Sequence, residues 1–183
     1  VACAGMTSFV FAAIIDSFRP SVFEGQKVGE GVFSYRLTML YSIIIYLSLA
    51  QSVVMSVMSK LIIFILYGEA YYPAVDALRI VVWYTTFSYM GSVRNIWILT
   101  NEKQKYLWKI NLFGAVANVI LNYILIPLIG INGAAVASLL TQFFTNVIVG
   151  YIIKPIRPNN KLIVESLKPH YLLDALKKMQ GNR

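Results

Sequence analysis

The chain has 183 residues, 58% of them hydrophobic and 13% charged, with a mean hydropathy of +0.66. Soluble domains carry about 25% charged residues, so the composition excludes an ordinary soluble domain and reads as an all-α integral membrane protein. The net charge of +8 lies mostly in hydrophilic segments and at the C-terminus, which points to anionic inner-leaflet lipid rather than nucleic acid as the partner of the basic residues.

Cys3 is the single cysteine and His170 the single histidine. That leaves no CxxC pair, His-based zinc motif or Ser-His-Asp triad within these residues, and no metal or cofactor is expected. The apolar run 1–15 is shorter than a crossing. Because the chain opens at Val1 without an initiator Met or a basic leader, the run reads as the remainder of a truncated helix, and the chain as the C-terminal piece of a longer protein. Asp16 is expected to end that helix. From Asp16 to Arg36, the Arg19-Pro20 pair, Gly25, Gly29, Gly31 and mixed charge predict a flexible loop with an interfacial helix after Gly31.

The second crossing is expected over 37–67, about 46 Å of helix, so it must tilt or protrude. Ser48, Ser52, Ser56 and Ser59 share one of its faces with Tyr41. Such a seam serves either close helix packing or the hydroxylated wall of a substrate path. Lys60, the one charge inside the run, either snorkels to the outer headgroups or faces a cavity. After the turn at Gly68 to Pro73, the third crossing covers 74–100. Tyr84, Ser88, Gly91 and Asn95 form a polar-to-small face there. Arg94 lies on another face with Trp83, Phe87 and Met90, as a snorkelling anchor among belt aromatics or a charge shielded by a neighbouring helix.

A hydrophilic loop, Asn101 to Lys109, leads to the fourth crossing, 108–128. On it Asn111, Asn118 and Asn122 fall within about 40° of arc, bordered by Gly114 and Ala115. An amide facing lipid has nothing to bond, so this seam must face protein or a water-filled cavity. Pro127 and Gly130 end the helix, and after a very short turn 133–153 makes the fifth crossing, antiparallel to the fourth. Ser138, Thr141 and Thr145 share one of its faces, flanked by Gln142 and Asn146. The tail 154–183 holds seven basic residues against Glu165 and Asp174, and its leucines predict short helices lying on the membrane surface.

Two parts follow: a transmembrane bundle of about five helices over 1–153, the first one truncated, and a basic tail over 154–183. The Asp16 to Arg36 loop, the Asn101 to Lys109 loop and the tail fall on one side and are basic. The turns at Gly68 and at Ile129 to Asn132 hold no Lys or Arg. By the positive-inside rule the C-terminus is cytoplasmic in a multi-pass protein of the plasma (inner) membrane.

These residues resemble the C-terminal half of the polysaccharide flippases in the multidrug, oligosaccharidyl-lipid and polysaccharide exporter superfamily. Gly68-Glu69-Ala70-Tyr71-Tyr72-Pro73-Ala74 looks like the family's G-x-x-Y-x-x-A turn, and Asn101-Glu102-Lys103 like its N-x-K loop. The most specific part is Asn118-x-x-Leu121-Asn122-x-x-Leu125-Ile126-Pro127, followed by Gly130 and Gly133-Ala134-Ala135-x-Ala137. Ala50-Gln51-Ser52 stands where the family carries a mid-helix proline. The resemblance implies a transporter of about twelve to fourteen helices, of which only the last are present. It also implies that this transporter moves undecaprenyl-pyrophosphate-linked oligosaccharide repeat units from the inner to the outer leaflet in surface polysaccharide (O-antigen, lipopolysaccharide) biosynthesis.

Such a path must be polar and partly cationic. Its candidate residues are Asn111, Asn118, Asn122, Ser52, Ser56, Asn95, Arg94, Lys60, Ser138 and Thr141. The lipid-linked oligosaccharide, anionic inner-leaflet lipids and the missing N-terminal helices of the same protein are the expected partners. No crossing carries paired carboxylates, so a transporter rather than an enzyme is expected. The alternatives are a membrane-bound glycosyltransferase or ligase, and a drug or cation exporter of the same superfamily, which would be expected to carry intramembrane acids.

Overall fold

Long apolar runs form helices here because a helix satisfies every backbone group internally. In the computed structural model, residues 7–181 are described, with side chains from 7 to 177. Residues 1–6 of the apolar run 1–15, including Cys3, lie outside the described residues. The main helices are α1 (Ser8–Val28), α2 (Glu30–Tyr67), α3 (Val75–Thr100), α4 (Leu107–Ile129), α5 (Ile131–Phe143), α6 (Val149–Ile152), α7 (Arg157–Ser166) and α8 (Pro169–Gly181). A π-helical turn, Phe144–Ile148, joins α5 to α6.

The expected loop at 16–36 is helix instead. α1 runs through Asp16 and Pro20 to Val28 because Phe11, Ile15, Val22 and Gly25 give it a buried stripe. Gly25 is a packing residue: a Cβ there would meet Phe33 Cα at 3.3 Å. The break falls at Gly29 alone, whose φ of +153° lies where side-chain-bearing residues are strained. α2 therefore starts at Glu30 rather than at 37. It spans 38 residues, about 57 Å at 1.5 Å per residue, and runs unbroken through Ala50-Gln51-Ser52.

α3 lies between α2 and α5. It is antiparallel to α2, since Ser59 accepts from Arg79 Nε at 3.0 Å while Ser52 donates to the Val82 carbonyl at 3.1 Å. It is parallel to α5: Leu78 clusters with Ala135, and Arg94 meets Thr145 further along both helices. α4 and α5 form a tight hairpin over Gly130 (φ +57°). A Cβ on Gly133 would lie 2.2 Å from the Leu125 carbonyl oxygen, so glycine sets how closely the two backbones approach. Among the described residues, three helices are long and apolar enough to cross a membrane: Glu30–Tyr67, Gln104–Ile129 and Ile131–Ile152. α3 is 26 residues long but more polar, holding Asp76, Arg79 and Arg94.

The tail is not a separate appendage. α7 and α8 pack on the first half of α2. Tyr41 donates to Asn159 Oδ1 at 2.9 Å, Ser42 to the Ser166 carbonyl at 2.9 Å, Tyr46 to the Leu167 carbonyl at 2.7 Å and Tyr35 to Asp174 at 2.8 Å. Lys103 Nζ donates to the Pro155 carbonyl at 2.8 Å, tying the α3–α4 loop to the start of the tail.

Candidate functional site: a polar cleft between α3, α4 and α5

α4 touches the bundle chiefly through α5, with Ile110 and Gly114 its only fully buried residues. The asparagine seam of α4 thus faces α5 and the side of α3. Between the three helices is a cleft of about 370 Å³. α3 contributes Arg94, α4 contributes Asn111, Gly114 and Asn118, and α5 with its π turn contributes Thr141, Gln142, Thr145 and Asn146.

The π turn shapes this wall. Thr145 and Asn146 sit in it, where the wider winding disturbs the α-helical ladder and turns carbonyls toward other donors. The Thr145 carbonyl accepts from Arg94 Nη1 at 2.7 Å, and the Val147 carbonyl accepts from Asn160 Nδ2 of α7 at 2.8 Å. Thr145 Oγ1 donates to the Thr141 carbonyl, and Asn146 Nδ2 to Gln142 Oε1 at 2.6 Å. Glycines admit these side chains. A Cβ on Gly91 would lie 2.4 Å from Asn146 Oδ1, and one on Gly114 would lie 2.7 Å from Thr145 Cγ2.

Arg94 is 5% exposed. Its Nε has no hydrogen-bond partner among the described residues, and none of the three ion pairs found there includes it. Among the described residues, no acid lines the cleft. A guanidinium buried in a membrane bundle costs about 3 kcal/mol on insertion scales, and here its one hydrogen bond goes to a neutral carbonyl. Of the two sequence readings of Arg94, shielding by a neighbouring helix is the one the fold gives, because α5 covers it.

The expected path residues divide. Arg94, Asn111, Asn118 and Thr141 come together in the cleft. Asn118 Nδ2 donates to Thr141 Oγ1 at 3.2 Å, and Asn122 Nδ2 donates back to Asn118 Oδ1 at 2.9 Å from one turn beyond. Ser138 donates to the Ala134 carbonyl of its own helix. Ser52 is buried in the α2–α3 interface, bonded to Val82 and near Thr86. Ser56 Oγ is buried without a partner among the described residues. Asn95 is exposed on a different face of α3 from Arg94. Lys60 is exposed, with Nζ 5.2 Å from the centre of the Tyr72 ring. Of the serine seam, Ser52 and Ser59 bond across to α3, and Lys60 and Asn95 stand outside the cleft. Gln142, Thr145 and Asn146 join the site instead. Their polar clustering beside Thr141 is visible in sequence, but the phase change that aims them is not.

No protein-family model matches this chain, and neither the curated proteins nor the solved structures give a match.

Proposed function

We propose that the chain is the C-terminal part of a membrane flippase that carries an anionic, lipid-linked oligosaccharide, of the undecaprenyl-pyrophosphate class, from the inner to the outer leaflet. The cleft between α3, α4 and α5 is part of its path. The observation that carries this reading is the cleft's composition: amides and hydroxyls suited to sugar hydroxyls, one buried arginine without a carboxylate, and no acid in the lining. A drug or cation exporter would place a carboxylate where the cation passes, and a glycosyltransferase or ligase would need acid–base groups the cleft does not hold. In this reading α1 to α5 belong to a bundle completed by further helices of the same protein, with the basic end in the cytoplasm.

The test replaces Asn118 and Asn122 with leucine in the full-length protein and follows surface polysaccharide in cells lacking the wild-type copy. Export is expected to fall severely while the protein inserts and accumulates normally, with lipid-linked repeat units retained on the inner leaflet. Export that falls only in proportion to protein level would make the asparagines interhelical glue, worth about 0.6 kcal/mol each as is usual in membrane interiors.

A further inference from the structure

The inner faces of α7 and α8 are accounted for by α2, and their outer faces are unlike a solvated surface. At 100° per residue, Arg157, Lys161 and Val164 fall on one stripe of α7, and all three are exposed, opposite the buried Asn159, Leu162 and Ser166. Leu167 and Lys168, also exposed, follow directly. On α8 the exposed stripe is Pro169, Leu173 and Leu176, bordered by Lys177, while Ala175 is buried. Leu173 is 55% and Leu176 47% exposed. The carboxylate of Asp174 is turned inward to Tyr35, which leaves Glu165 as the acid on this outer surface.

The tail also starts at a defined level. Lys103, whose Nζ lies 4.4 Å from the Trp97 ring centre, holds the Pro155 carbonyl. Beside it Lys105 and Lys109 lie over Tyr106, and Lys109 over Trp108. Aromatic rings paired with lysines mark the boundary between hydrocarbon and headgroups. Leucines between lysines at that level match helices that lie in an anionic interface, the apolar residues among acyl chains and the ammonium groups at lipid phosphates.

We infer that the outer face of the α7–α8 pair is a docking surface for the anionic leaflet of a bilayer, which clamps the basic end of the bundle to phosphatidylglycerol-type lipid. The inference needs a membrane-spanning chain but not a flippase, so the export assay and the following test fail independently. A spin label is placed at Leu173→Cys in a Cys3→Ser background of the full chain. The protein is reconstituted in nanodiscs of phosphatidylcholine alone or mixed with phosphatidylglycerol, and accessibility to oxygen is compared with that to a water-soluble nickel chelate. The label is expected to lie at membrane depth in the anionic discs and to become water-accessible in phosphatidylcholine. Each of Arg157→Gln, Lys161→Gln and Lys168→Gln is expected to lower the docking equilibrium constant about fivefold, the factor for one basic residue near an anionic surface. A label equally deep in both lipids would overturn the recognition of anionic headgroups. A label open to water in both would overturn the docking surface, as would one shielded from both reagents, which means protein covers this face. The lipid comparison uses one labelled protein, so no variant's folding enters it.

Discussion

Gly91 of α3 and Asn146 of the π turn are in contact so close that no side chain other than hydrogen fits between them: a Cβ on Gly91 would stand 2.4 Å from Asn146 Oδ1. Asn146 is itself held by Gln142 and cannot swing away without breaking that bond. Gly91→Ala is therefore expected to destabilise the bundle by about 1–3 kcal/mol, the usual cost of overpacking. The measure is thermal unfolding in nanodiscs, with Gly31→Ala as the comparison, since a Cβ on Gly31 meets nothing within 4 Å. Equal melting of the two variants would mean that α3 and the π turn are not in contact.

The ends of α4 give a topology prediction. Lys105 lies before the helix and Asn132 after it, and α4 is 23 residues long, with Lys109 near its start as its one charge. Cysteines at Lys105 and Asn132 are expected to react with a membrane-impermeant maleimide from opposite faces of the membrane, Lys105 from the inside. Labelling from one face would remove α4 as a crossing, and with it the pairing of basic and non-basic turns.

Much of this architecture is legible in the sequence where one residue type has one physical use. The all-α class follows from runs such as 107–129, too long for a barrel strand and satisfied in lipid as a helix. The α4–α5 hairpin follows from Gly130 and Gly133, a breaker at positive φ and a small residue at the closest approach. Pro127, expected to end α4, instead sits inside its last turn, and the helix runs on to Ile129. The stretch 16–36 misleads because Gly25, Gly29 and Gly31 look alike in sequence and differ in role. Gly25 packs on Phe33, Gly29 takes a positive φ, and Gly31 is an ordinary helical residue. Arg94, Asn111, Asn118 and Thr141 come together because helical periodicity and the antiparallel hairpin order fix their faces. The π turn is not legible, since Phe144-Thr145-Asn146 has no feature that distinguishes wider winding, and its carbonyls find donors, Arg94 and Asn160, that are remote in sequence.

The docking of α7 rests on polar contacts that can be deleted singly. Asn160 Nδ2 bonds the Val147 carbonyl, and a Cβ on Gly150 would lie 2.1 Å from Asn160 Oδ1, so the side chain is seated against α6. Asn160→Leu is expected to cost about 1–3 kcal/mol by stranding that carbonyl and misfitting the seat. Tyr41→Phe, which removes the donor to Asn159, is expected to cost about 1 kcal/mol. Trypsin cleavage at Lys161, which precedes Leu162, reads the release of the tail. Faster cleavage in both variants, more so for Asn160→Leu, is the expected result, and wild-type cleavage rates in both would show that other contacts hold α7.

Arg94 carries the most specific prediction. Its guanidinium is buried, bonded once, to the Thr145 carbonyl, and faces amides and hydroxyls rather than acids. A purely structural arginine needs only that one bond, which a lysine or a glutamine amide could replace in part. An arginine that meets a phosphate oxygen in the cleft uses a permanent charge and a planar fork, and neither survives in glutamine, whereas lysine keeps the charge alone. The expected order of export is wild type, then Arg94→Lys reduced, then Arg94→Gln severely reduced. Lipid-linked repeat units are expected to accumulate on the inner leaflet at equal protein level. Thermal unfolding separates the two roles, because Arg94→Gln removes a buried charge that costs about 3 kcal/mol to place in the membrane and is expected to leave stability unchanged or raised. Full export by Arg94→Gln at wild-type abundance would assign Arg94 to fastening the π turn and leave the passage of the anion to other residues.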